Sequence, residues 1–371
     1  MPHTRICSHQ QARYKSGCCS KVDASGHPEL MILYIVQAHK TPCQIEVLCN
    51  LLAGPRSQVL VILDSAGEVS QEEADELRVR TAHLRVSVCF GPAILWGGSS
   101  QMWAWIEALL YAEREFCEWE WVINLSGDCL PLQAPNSLWE NLQQSFAKGF
   151  TSHFEFFGNH DHFPLDDAAR IFEIIGHAPS SILSGTPKTQ IKAPRLYRFD
   201  GIIEDGCAEE DDLRTLLMKW PLRGSFHFAD VGDGKQMLIR RLRPTEFSER
   251  ERFLQNYPLR GGRAWFALHR SFIATFNDDH VRLLVARGLT GFFCSDELFF
   301  QTYFNARQEI FNGQTGGRNF HLDQGQPVTL IDSAKDRILA SDAWFARKVI
   351  YKEAPDLIAS IAERLRIKVG A

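Results

Sequence analysis

From Met31 onward the chain alternates short aliphatic runs with stretches of helical period, and this alternation narrows the available folds more than any other feature. Residues 31–36 are apolar, 43–53 have helical spacing, and Val59-Leu60-Val61-Ile62-Leu63 is a second run that ends at Asp64. A third strand is predicted near 85–90, before Trp96-Gly97-Gly98-Ser99-Ser100; Met102, Trp105, Ile106, Leu109, Ala112 and Phe116 then recur at helical spacing. Trp121-Val122-Ile123-Asn124-Leu125 reads as a buried strand that breaks into Ser126-Gly127-Asp128-Cys129-Leu130-Pro131-Leu132. Continuous apolar strands separated by helices imply a largely parallel sheet covered on both faces. The predicted class is α/β with a mixed, mainly parallel central sheet. In such sheets ligands bind beyond the carboxyl ends of the strands, so Asp64 and the turn at 126–128 stand where a nucleotide would be held. Neither strand end carries a glycine-rich phosphate loop, which argues against dinucleotide and Walker-type sites.

The expected organisation is a loose polar tail over 1–30, one domain over 31–350 and a C-terminal helix over 351–371 packed on it, with Leu357, Ile358, Ile361 and Leu365 on one face. At 371 residues, 45% hydrophobic and 23% charged, the chain can bury a large core. A formal net charge of −5 argues against bulk binding to nucleic acid or to an anionic membrane. Ten cysteines are scattered without a C-x-x-C pair and read as unpaired thiols of a reducing compartment. With no apolar run of about 18 residues and no export pattern, the expected location is the cytoplasm, at most peripheral to the inner membrane. His3, Cys7, His9, Cys18 and Cys19 in the tail, and His160-Asp161-His162 further on, invite a metal reading, but their spacing favours solvated loops.

The densest chemistry lies in Ser295-Asp296-Glu297-Leu298-Phe299-Phe300-Gln301-Thr302, two adjacent carboxylates at the head of an apolar helix. Burial against Phe299 and Phe300 would raise a carboxylate's proton affinity and make it a usable base near neutral pH; the plainer reading is a cap and a first-turn charge. Near the end, Asp342-Ala343-Trp344-Phe345-Ala346-Arg347-Lys348 sets two cations after an aromatic pair. Trp96 and Trp265 are candidates for stacking on a sugar, although large aromatics more often belong to the core. A base, a cationic pair and a nucleotide-type sheet suit transfer of a sugar from a nucleotide diphosphate, where the acceptor needs a base and the leaving diphosphate needs positive charge. No two aspartates have Asp-x-Asp spacing, so either a metal is held by other means or Arg347 and Lys348 do its work.

At these residues the chain resembles the core-2/I-branching β-1,6-N-acetylglucosaminyltransferases and the related peptide O-xylosyltransferases. The likeness runs from about Met31 to Lys348. It is carried, in order, by Ile62-Leu63-Asp64, Trp96-Gly97-Gly98-Ser99, Ile123-Asn124-Leu125-Ser126-Gly127, Gly262-Arg263-Ala264-Trp265-Phe266, Asp296-Glu297-Leu298-Phe299-Phe300-Gln301-Thr302 and Phe345-Ala346-Arg347-Lys348. The resemblance implies a GT-A type fold and an inverting, metal-independent transfer, without a cofactor, from a nucleotide sugar to a glycan or glycolipid hydroxyl. UDP-N-acetylglucosamine is the expected donor, with UDP-xylose as an alternative, and a degenerate glycan-binding or scaffold domain is the non-enzyme alternative. It implies Glu297 as the base and Lys348 as neutraliser of the departing phosphates, with Arg347 assisting. Asp64 would serve the nucleoside end, and Arg318, Trp96 and Gly97 would be further donor contacts. Trp265, Asp296 and Glu155 would face the acceptor, Asp296 chiefly orienting Glu297 or capping its helix. Lys188, Lys192 and Arg195 lie in the segment that matches least. Two departures stand out: Asp128 follows Gly127 at once, with Cys129 where the family commonly has an aspartate, and His321 takes a position often basic, with Arg318 nearby. With no membrane helix, the chain looks like a bacterial member that builds a surface glycan.

Overall fold

In a computed structural model, the structure describes residues 31–39, 41–94, 97–156, 172–177, 191–192, 198–199, 226–230, 236–290, 292, 294–307, 320–321 and 329–369. The tail at 1–30, Trp96, the histidines at 160 and 162, Lys188, Arg195 and Arg318 lie outside them. Glu155 and Lys192 are placed by their backbone alone.

The first half follows the alternation read from the sequence: β1 (Met31–Ala38), α1 (Pro42–Leu52), β2 (Ser57–Asp64), α2 (Gln71–Arg80), β3 (Val86–Gly91), α3 (Ser99–Glu115) and β4 (Trp119–Ser126). β1 pairs in parallel with β2 on one side and β4 on the other, and β3 extends the sheet beyond β2. Next come β5 (Leu130–Pro131), α4 (Pro135–Ala147) and β6 (Ser152–Phe156). A separate five-stranded sheet is formed by β7 (Phe172–His177), β8 (Ile191–Lys192), β9 (Arg198–Phe199), β10 (Phe226–Asp230) and β11 (Gln236–Arg241). After α5 (Pro244–Asn256), β12 (Gly262–His269) returns antiparallel to β4, and β6 closes that edge. The central sheet is thus six-stranded, in the order β3-β2-β1-β4-β12-β6, mixed and mostly parallel as the sequence implied. The chain continues through α6 (Arg270–Asp278), α7 (His280–Leu289), α8 (Asp296–Ala306), β13 (Phe320–His321), α9 (Lys335–Leu339), β14 (Phe345–Ala346) and α10 (Pro355–Val369).

Period-two alternation along β1 divides the core. Ile32, Tyr34 and Val36 join a cluster with Ile45 and Leu48 of α1, Leu138 of α4, and Leu357, Ile361 and Leu365 of α10. Leu33 and Ile35 join the opposite cluster with Met102, Trp105 and Leu109 of α3 and Phe299, Phe300 and Tyr303 of α8. Every residue of β1 is buried, which is why the strand reads as unbroken apolar sequence rather than as an alternation. The six cysteines in the described residues, Cys43, Cys49, Cys89, Cys117, Cys129 and Cys294, are free thiols. No helix among these residues is long and apolar enough to cross a membrane.

Candidate active site

Strand order reverses at β1: β2 and β3 extend one way and β4 the other. The crevice outside the carboxyl ends of β1 and β4 is therefore the topological switch point, where open α/β sheets hold ligands. The turn after β4 closes on β1 through the Gly127 N–H, which donates to the Gln37 carbonyl at 3.0 Å.

A small three-stranded sheet carries the distant cations to this crevice. β14 lies antiparallel to β5 and parallel to β13, pairing Phe345 with Pro131 and Ala346 with Leu130. Arg347 and Lys348 thereby follow directly beside the turn at 126–129. Gln44 of α1 locks the junction: its Nε2 donates to the Gly127 and Val349 carbonyls at 2.8 and 3.1 Å, and its Oε1 accepts from the Tyr351 N–H at 3.1 Å. The Tyr351 hydroxyl in turn donates to the Cys129 carbonyl at 2.7 Å. Neither Gln44 nor Tyr351 was identified from the sequence. The available signal was a polar side chain on the buried face of α1.

The two adjacent cations have separate surroundings. Lys348 Nζ lies 3.6 Å from Asp128 Oδ2, and its side chain is 38% exposed. Arg347 donates from Nε to Ser126 Oγ at 3.3 Å and rests its guanidinium 4.7 Å from the centre of the Trp265 ring, a cation–π arrangement. Lys348 can therefore reach an incoming anion by giving up one ion pair, whereas Arg347 is held on two sides.

The carboxylates enter from α8. The Cys294 N–H donates to the Gly97 carbonyl at 2.8 Å, so the loop that opens α3 touches the residues that open α8. Gly97 sits at φ 75°, a left-handed conformation that glycine adopts without steric cost. Ser295, rather than Asp296, is the residue that precedes the helix; Asp296 is its first residue. The sequence suggested that aromatic burial would act on the reactive glutamate. In the structure Asp296 is the buried carboxylate and Glu297 is half-buried. The reason is helical period: Asp296 shares its spacing with Phe299, Phe300 and Tyr303 on the packed face. Burial pushes the Asp296 carboxyl up to about 6, against the opposing effects of nearby backbone N–H groups and the Arg347 charge.

A raised carboxyl in the folded state means that the native protein binds this proton more tightly than the unfolded chain does. The associated stability is complete below about pH 4 and is lost as pH rises through the folded value of about 6. The expected result is that Asp296→Asn gains about 3 kcal/mol of stability relative to the parent between pH 4 and pH 7.5. Urea unfolding of both proteins across that range measures it, and a pH-independent difference would show that Asp296 does not titrate in this way.

Asp64 ends β2 as predicted, but its Oδ1 accepts from the Ala66 and Ile94 N–H groups at 2.9 and 3.0 Å, tying together the loops after β2 and β3. The structure thus gives it a scaffolding task at the strand end, whatever it does for a ligand. Cys129, which stands in place of a carboxylate, is fully buried; its Sγ accepts from the Ser126 N–H at 3.4 Å, and burial pushes its thiol up. Among the described residues no group of three His, Cys, Asp or Glu side chains is placed to hold a metal ion. In this way Asp296, Glu297, Gly97, Trp265, Arg347 and Lys348 are joined around one strand end through α8, β12 and β14.

No protein-family model matches this chain, and no curated protein matches it. Among solved structures, the glycosyltransferase GlyE of Streptococcus pneumoniae TIGR4 is similar at 13% identity and a TM-score of 0.19, over 30% of this chain and 26% of that one. A likeness that slight carries neither fold nor function to this chain.

Proposed function

We propose that this chain is an inverting glycosyltransferase of GT-A type that moves a sugar, N-acetylglucosamine from its UDP donor, to a glycan hydroxyl without a metal. The observation that carries the reading is the β14–β5 pairing, which sets a solvent-reachable Lys348 beside the switch point, with α8 and its two carboxylates joined to the same rim through Gly97. Such a crevice offers positive charge where a diphosphate would leave and a carboxylate where an acceptor would lose its proton.

In this mechanism the acceptor oxygen attacks the anomeric carbon from the face opposite the diphosphate while Glu297 takes its proton. The bond from that carbon to the phosphate oxygen breaks, and the electron pair leaves with UDP. Lys348 neutralises the departing phosphates by exchanging Asp128 for them. Asp296 stays behind Glu297 as a buried neighbour. A second reading, a catalytically degenerate glycan-binding or scaffold domain, draws on the same Lys348–Asp128 pair, because a cation already satisfied by a carboxylate has less need of a phosphate.

The test is UDP release by the purified protein from a panel of UDP-sugars, with and without EDTA. The expected outcome is slow hydrolysis of UDP-N-acetylglucosamine that EDTA does not diminish and that rises when a glycan acceptor is present. Binding without any turnover would favour the scaffold. EDTA-sensitive release would overturn the metal-free mechanism.

A further inference from the structure

Gln37 lies at the carboxyl end of β1, the strand at which the sheet order reverses, and is 7% exposed. Its backbone carbonyl accepts from the Gly127 N–H, and its neighbours across the sheet are Ile62 of β2 and Ser126 of β4. By the alternation along β1 its side chain shares the face of Leu33 and Ile35, the face of α3 and α8, and the register places it beside Ser126, whose hydroxyl accepts from Arg347. The Gln37 side-chain Nε2 is buried and meets no hydrogen-bond partner among the described residues. A buried amide donor left unpaired costs free energy that an apolar side chain of similar size would not. Ser57 and Ser152, whose hydroxyls are likewise unpaired, open β2 and β6 at the far, amino-terminal edge of the sheet, and the unpaired ring nitrogens of Trp105 and Trp121 lie within the core; Gln37 differs from these in standing at a carboxyl end. Ser295, whose hydroxyl is also unpaired, opens α8.

We infer that the Gln37 side-chain amide is a specificity-determining contact for the donor, donating a hydrogen bond from Nε2 to an oxygen of the diphosphate–sugar portion. This rests on the donor reading proposed above. Within the crevice, the turn bonded to the Gln37 carbonyl carries Asp128 and with it Lys348, so the amide lies beneath the place where the diphosphate would sit rather than at the outer, Asp64 end. A neutral N–H donor suits either a phosphate oxygen or a sugar oxygen. It also leaves Lys348 as the group that answers charge.

The experiment combines thermal unfolding and calorimetric binding of UDP and of UDP-N-acetylglucosamine to the full chain, for the parent, Gln37→Leu and Gln37→Met. Removal of the unpaired donor should raise Tm by about 2 °C in both variants. Loss of the ligand hydrogen bond should weaken binding about tenfold. Weakening of both ligands assigns the acceptor to the diphosphate; weakening of UDP-N-acetylglucosamine alone assigns it to the sugar. Unchanged affinity in the variants, whether Tm rises or falls, overturns the inference while leaving the donor reading intact. Failure of the parent to bind either ligand would instead sink the donor reading, and the inference with it.

Discussion

Glu297→Gln should lower the turnover number by about a thousandfold while leaving UDP affinity within about twofold. The substitution keeps the side chain's shape and its place on the first turn of α8 but replaces the basic carboxylate by an amide that does not take up a proton near neutral pH. If the acceptor oxygen must lose its proton as it attacks, the loss falls on kcat rather than on donor binding, because on the proposed reading the donor would be held by Lys348 and the turn at 126–128 rather than by Glu297. Single-turnover transfer to a glycan acceptor, measured beside equilibrium binding of UDP, separates the two effects. A variant that keeps a third or more of the parent's kcat would remove Glu297 from the chemistry. In that case Asp296, buried and with its carboxyl pushed up to about 6, would be the next carboxylate to test.

Asn124→Leu should destabilise the fold by about 4 kcal/mol. Asn124 is fully buried in β4, where direct pairing with β12 spans only Ile123 to Trp121 against Ala267 to His269. Beyond that point its side chain substitutes for the ladder: Nδ2 donates to the Ala264 carbonyl at 2.7 Å and Oδ1 accepts from the Phe266 N–H at 2.6 Å. Leucine fills the space but strands two buried backbone groups, each of which costs about 1–3 kcal/mol. Trp265 sits between the two anchored residues and supports Arg347, so the same variant should also loosen the site. Urea unfolding of parent and variant gives the magnitude; a change below about 1 kcal/mol would show that the strands pair adequately without the amide.

That role for Asn124 is not legible in the sequence, although the residue stands inside the apolar run Ile123-Asn124-Leu125-Ser126-Gly127. An asparagine inside an apolar run signals a buried polar group, but which backbone it satisfies depends on a strand more than a hundred residues away in sequence. The same holds for Gln44, whose four partners lie in the turn after β4 and after β14. It holds again for the exchange of burial between Asp296 and Glu297. Helical period could have shown that exchange, because Asp296 stands three and four residues before Phe299 and Phe300 on the packed stripe.

The sequence by itself determined the local elements and where the strands end. Unbroken aliphatic runs made β1, β2 and β4 interior parallel strands, the Met102-to-Ala112 stripe made α3, and the breaks at Asp64 and Ser126 marked the carboxyl ends, all because side-chain period and turn chemistry act over a few residues. Only the tertiary structure decided which ends meet. It placed β4 rather than β3 beside β1, returned β12 antiparallel, and paired β14 with β5 so that Arg347 bonds a serine 221 positions earlier while its neighbour Lys348 turns to Asp128. Those choices follow from burying two opposite faces of one sheet and satisfying every backbone group at its edges, conditions that belong to the whole chain and that no short window of sequence contains.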